Sequence, residues 1–135
     1  QEETNSKTNN KLVIKTINGT SKIKETNEGI QFEDKLIKFG KYENKYIAEQ
    51  IQEPSAYSIL ILKPNGEFHL KANVDDSGNM ISPIDEDGTF YIEENLEEYP
   101  GTYSDFLNFE TESGIKFSLY SAMSNQWTGY EYVGE

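Results

Sequence analysis

The sequence predicts an all-β chain whose antiparallel strands form a sheet rolled into a barrel or folded into a sandwich, and three observations carry that prediction. Residues 57–74 spell a β-hairpin: Tyr57-Ser58-Ile59-Leu60-Ile61-Leu62 meets Phe68-His69-Leu70-Lys71-Ala72-Asn73-Val74 across Lys63-Pro64-Asn65-Gly66-Glu67. The second arm alternates apolar with polar residues, the period-two pattern of a strand with one dry and one wet face. The turn holds Pro followed by Asn-Gly, which tolerates the positive φ that a tight reversal demands. Comparable punctuation recurs along the chain between short apolar runs, giving eight to ten predicted strands.

Taken in order, Leu12 to Ile17 and Thr20 to Lys24 flank Asn18-Gly19 and read as a first hairpin. Gly29 to Glu33 and Leu36 to Phe39 suggest a second pair about Asp34-Lys35. Residues 44–53 are the one stretch with helical character, because Tyr46, Ile47 and Ile51 recur about a turn apart with no Gly or Pro before Pro54. After the 57–74 hairpin the composition predicts an acidic loop from Asp75 to Gly88, then a strand Thr89-Phe90-Tyr91-Ile92. Phe106 to Thr111 and Ile115 to Tyr120 flank the turn Ser113-Gly114, and a closing strand spans Trp127 to Val133.

Composition bounds the rest. At 135 residues the chain fits one domain, read as residues 11–135 behind a polar tether at residues 1–10 that holds no apolar side chain. One Trp, nine Tyr and seven Phe offset a hydrophobic content of only 35%, so the core is expected to be built on aromatics. The absence of Cys excludes disulfides, thiolate metal sites and a Cys nucleophile. Every basic residue is Lys, so no guanidinium fork exists for bidentate recognition of phosphate or carboxylate. Residues 72–135 carry one Lys, Lys116, against fourteen Asp and Glu, which places the net charge of −12 in the C-terminal half. That polarity argues against nucleic acid and against an anionic membrane as partners. A membrane link is expected only through a lipid anchor upstream of residue 1, with the protein extracytoplasmic, at the cell surface or secreted.

The order of motifs resembles the lipocalin-like, calycin-type barrels of small Gram-positive bacterial lipoproteins. The residues concerned are Gly40-Lys41-Tyr42, Leu62 to Phe68, Gly88-Thr89-Phe90-Tyr91-Ile92 and Gly129-Tyr130-Glu131-Tyr132-Val133. The similarity covers residues 36–133. It implies an antiparallel up-and-down β-barrel opened by the Gly-x-aromatic strand, but Tyr42 stands where lipocalins have Trp, and the Arg that packs on that Trp has no counterpart in a chain without Arg.

Candidate functional residues fall into three groups. His69 is the sole imidazole, and alternation sets it beside Lys71 on the wet face, an ordinary place for a solvated strand residue rather than a general base. Asp75, Asp76, Asp85 and Asp87 are candidate oxygen ligands for calcium, the only cofactor the sequence suggests. An EF-hand count from Asn73, however, puts Ile84 at the twelfth position, where a bidentate Glu belongs. Tyr42, Tyr46, Tyr91, Trp127, Tyr130 and Tyr132 are candidate ligand-binding aromatics, with large flat faces and polar tips. The expectation is a non-enzymatic binding or accessory protein for an unidentified small molecule or protein, monomeric or dimerised by strand pairing. The alternatives are an acidic inhibitor that docks a basic partner, and an enzyme using carboxylates at the barrel mouth.

Overall fold

A computed structural model describes residues 12–16, 23–32, 35–75, 77–94, 106–120 and 130–134. Eleven strands and one short helix follow in the order β1 (Ile14–Thr16), β2 (Lys24–Glu25), β3 (Gly29–Phe32), β4 (Lys35–Lys38), β5 (Gly40–Asn44), α1 (Ile47–Gln50), β6 (Ser58–Lys63), β7 (Glu67–Val74), β8 (Met80–Glu94), β9 (Phe106–Thr111), β10 (Lys116–Tyr120) and β11 (Tyr130–Gly134). The all-β class is therefore met, with antiparallel sheets and a single helical turn inside the 44–53 window.

The larger sheet has the order β10-β9-β8-β7-β6-β5-β11. Strands β5 to β10 form a meander in which each pairs with its sequence neighbour, and β11 returns to lie antiparallel against β5, Tyr132 opposite Tyr42. Alternation does the sorting. In β6, Ser58, Leu60 and Leu62 are buried, and in β7 so are Phe68, Leu70, Ala72 and Val74, while the residues between them face outward. The reversal joining the two strands is a 3-10 turn at Pro64-Asn65-Gly66, where Asn65 and Gly66 take φ of 68° and 76°. Asn and Gly are the residues that enter this left-handed region at least cost.

One sequence expectation is corrected here. Residues 85–88 are not loop: β8 begins at Met80, and Asp85, Glu86, Asp87 and Gly88 pair with Lys71, Leu70, His69 and Phe68 of β7. The strand is tolerated because its outward acids meet the outward cations of β7. The turn and most of the second arm of the predicted 12–24 hairpin, residues 17–22, lie outside the described residues, and among the described residues β1 and β2 pair with other strands. Strand β1 runs parallel to the far end of β8, Ile14 opposite Ile92, alongside residues beyond the last β7 pairing at Thr89, and β2 joins β3 and β4 in a separate three-stranded sheet.

Both sheets feed one core. Ile23, Ile30, Phe32 and Ile37 from the small sheet and its approach pack in the same cluster as Leu60, Leu62, Phe68, Phe90, Ile92, Leu107 and Phe109 from the large one. At its centre Phe109 stacks on Phe117 with ring centroids 4.7 Å apart and meets Phe68 edge-on at 4.9 Å, the offset and T-shaped geometries that aromatic quadrupoles favour. A polar tie joins the sheets as well, since the Asn65 N–H donates to Glu25 Oε2 at 2.9 Å.

Candidate functional site

A cavity of about 350 Å³ opens between α1, the C-terminal half of β7 and the edge strand β10. Its walls are mainly apolar. Leu70, Ala72 and Val74 arrive from β7 because they are the inward members of its alternation, Phe117 and Leu119 come from β10, and Ile47 contributes from α1. Five uncharged polar residues, Asn44, Gln50, Ser58, Ser118 and Tyr130, also line it, together with Asp75 and Lys116.

The polar groups are held in place. Ser58 Oγ and the Tyr130 hydroxyl share a buried hydrogen bond of 2.5 Å, which links the first residue of β6 to the first of β11 across the intervening β5. Asn44 Oδ1 accepts from the Tyr46 N–H at 3.2 Å, fixing the turn into α1. Behind the wall, Asn73 Oδ1 accepts from the Tyr57 N–H at 2.8 Å and Asn73 Nδ2 donates to the Ser55 carbonyl at 2.9 Å. Such an arrangement can bind an apolar body and orient one polar group, the usual composition of a small-molecule pocket.

Of the six aromatic residues expected to bind ligand, Tyr130 lines this cavity. Tyr42 is 3% exposed and belongs to the core, where its hydroxyl donates to the Lys38 carbonyl at 2.8 Å. Burial, with Tyr132 nearby, pushes its ionisation well above the usual phenol range. Tyr132 meets the Tyr42 ring edge-on at 5.3 Å, is partly exposed, and has Lys38 Nζ 5.4 Å from its centroid. Tyr91 faces outward under Lys15 Nζ, 4.3 Å away, and Tyr46 is exposed at the start of α1. Trp127 lies outside the described residues, as does Asp76.

The acidic candidates separate into two places. Asp75 follows β7 and closes its own loop, Oδ1 accepting from the N–H groups of Ser77 and Asn79 at 2.9 Å each. These amides, that of Asn79 foremost, hold its carboxyl below the ordinary range. Asp85 and Asp87 stand instead on the outer face of β8 with His69 between them. His69 Nδ1 bonds Asp87 Oδ1 at 2.7 Å and Nε2 bonds Asp85 Oδ1, and Lys63 Nζ lies 3.5 Å from Asp87. A carboxylate on each nitrogen favours the imidazolium form of the ring. The Asp87 bond chiefly raises the His69 pKa, against an opposing effect of burial and with help from the Asp85 bond, and the Asp87 bond in turn lowers the pKa of Asp87. Both nitrogens are engaged by these carboxylates. Among the described residues no group of three or more His, Asp or Glu side chains is placed to hold a metal ion.

Sequence reasoning missed Ser58 and Asn44 as site residues. Ser58 was legible, since the alternation that buries Leu60 and Leu62 also points Ser58 inward. Asn44 had no such signal, because its role depends on where β11 docks. No family model matches the chain, and comparisons with curated proteins and with solved structures return no match.

Proposed function

We propose that this is a binding protein whose cavity beside α1 takes a small, predominantly apolar ligand group. The observation that carries the reading is the cavity itself. A sealed apolar void of about 350 Å³ would cost about 8 kcal/mol at ~24 cal/mol per Å³. That is comparable to the whole stability expected of a domain this size, ~7–20 kcal/mol at ~0.05–0.15 kcal/mol per residue. The cavity is instead open to solvent, so the ligand displaces water from apolar walls and meets Asn44, Ser58 and Tyr130 at its polar end. At about 30 Å³ per heavy atom, the volume suits roughly a dozen non-hydrogen atoms.

A lipocalin-like barrel is the architecture within which this reading is framed. Its support is the motif order from Gly40 to Val133 and the return of β11 to β5, which leaves the β10–β11 seam as the one junction of the seven-stranded order without a pairing among the described residues. An extracytoplasmic, tethered location belongs to the same proposal, supported by the apolar-free composition of residues 1–10. A titration with 2-naphthol, read by its fluorescence, tests the binding function. Saturable binding to the wild type, weakened tenfold or more by Ala72→Phe, is expected, because Ala72 is 1% exposed and points into the space the probe would fill. Non-saturating partition, or equal binding by a folded Ala72→Phe variant, would refute it.

A further inference from the structure

The cavity's polar lining is uneven in what it still offers a ligand. Strand β5 turns Tyr42 and Asn44 inward, so an amide stands at a position the alternation reserves for an apolar side chain, and Asn44 is only 9% exposed. Its neighbour fixes the amide's orientation. The Tyr46 N–H can only donate, so the oxygen must face it, and Oδ1 accepts at 3.2 Å. Nδ2 is thereby left to the cavity that Asn44 lines, and among the described residues it has no hydrogen-bond partner. A buried N–H without an acceptor is a standing cost that a bound acceptor removes.

The other polar groups of the lining are engaged or face solvent. Ser58 Oγ and the Tyr130 hydroxyl bond each other, Ser118 Oγ donates to Asn108 Oδ1 at 2.5 Å, and Gln50 is exposed at the end of α1. Charge does not select an ionic ligand. The two charged residues of the lining, Asp75 and Lys116, are of opposite sign, so a charge of either sign meets one like charge as well as apolar walls that cannot solvate it. We infer that the cavity's ligand is an uncharged molecule with an apolar body and a carbonyl group, as in a ketone, ester or amide, whose oxygen accepts a hydrogen bond from Asn44 Nδ2. The inference rests on the binding function proposed above and names its ligand class. A donor-headed ligand such as an amine is rejected by the same geometry, since its N–H groups and those of Asn44 would face each other with no acceptor between them.

Three probes on one carbon skeleton separate the head group from the body: propiophenone, n-propylbenzene and 1-phenylpropylamine. Isothermal titration calorimetry should show the ketone binding the wild type about tenfold more tightly than the hydrocarbon, the difference between a buried donor that is paired and one that is not, with the amine weakest. Asn44→Asp keeps an oxygen to accept from the Tyr46 N–H and exchanges the donor for a second carboxylate oxygen, so the order of ketone and amine should invert. Equal affinity of the wild type for ketone and hydrocarbon, or a folded Asn44→Asp variant that keeps the wild-type order or weakens all three probes alike, overturns the inference. Should that variant not fold, the order of the three probes on the wild type decides alone. If 2-naphthol binds and the ketone has no advantage over the hydrocarbon, the carbonyl contact is wrong and the cavity stands as an unselective apolar site. If neither 2-naphthol nor any of the three probes binds, the binding function itself fails.

Discussion

Replacing Gly88 with Ala should destabilise the fold by about 2 kcal/mol, although Gly to Ala in a strand is ordinarily a gain. In general the extra methyl narrows the unfolded ensemble and returns ~0.4–1 kcal/mol. At Gly88 the added Cβ would stand 2.2 Å from the Glu110 carbonyl oxygen, 2.6 Å from Phe68 Cε1 and 2.8 Å from Thr111 Cα. Two of these atoms are backbone of β9 and cannot rotate aside. The third belongs to a ring of zero exposure, wedged edge-on against Phe109 and Phe117. Overpacking of this kind costs ~1–3 kcal/mol, and with no flexible neighbour the upper end applies, leaving a net loss of about 2. For 135 residues at ~2.1 cal/mol/K each, the unfolding entropy is about 0.28 kcal/mol/K, so the thermal midpoint should fall by about 7 °C. Thermal unfolding followed by circular dichroism measures it. An unchanged or raised midpoint would mean that Phe68 and β9 yield freely, and the packing argument would be wrong.

Other expectations are more local. The His69–Asp87 bond should stabilise the fold fully between the unfolded pKa values of Asp and His, roughly pH 4 to 6.5. Because His69 is raised, its contribution is lost as pH rises through its folded pKa; because Asp87 is lowered, the other limb is lost as pH falls through its folded value. The midpoint difference between wild type and His69→Gln should therefore peak in that window and shrink on both sides; a pH-independent difference would remove the ion pair as its cause. Asn65→Ala, at φ 68°, should cost about 1 kcal/mol while Asn65→Gly costs little, read as denaturant midpoints at constant slope. Comparing melts in EDTA and in millimolar CaCl2 should show no shift, since Asp75 spends Oδ1 on its own loop amides; a clear rise with calcium would establish a site.

What the sequence disclosed followed the reach of its patterns. The β6–β7 hairpin was legible because alternation and turn chemistry agree over one continuous stretch. Residues 85–88 misled, since Asp-Glu-Asp-Gly is turn-forming in composition; its strand character lies in a cross-strand match, Asp85 and Asp87 spaced by two like Lys71 and His69. Tyr91 could have been placed outward from its position between Phe90 and Ile92, both buried. By contrast the parallel β1–β8 pairing and the β11–β5 docking join distant segments, and no local period reports them. The cavity depends on that docking, so its chemistry was readable only one wall at a time.

The sheet's connectivity also sets an order of events. From β5 to β10 every pairing closes a short stretch of chain, so the meander can zip from its hairpins at small loop-closure cost. Among the described strand pairings of the large sheet, those that join Asn44 to Tyr130 and Ile14 to Ile92 require distant ends to meet. By this argument strand β11 joins late, as β1 does, and it carries Tyr130. Assembly of the cavity's polar end is thus a late kinetic step, and a transient opening that lifts β11 would dismantle the Ser58–Tyr130 link while the phenylalanine core stays closed.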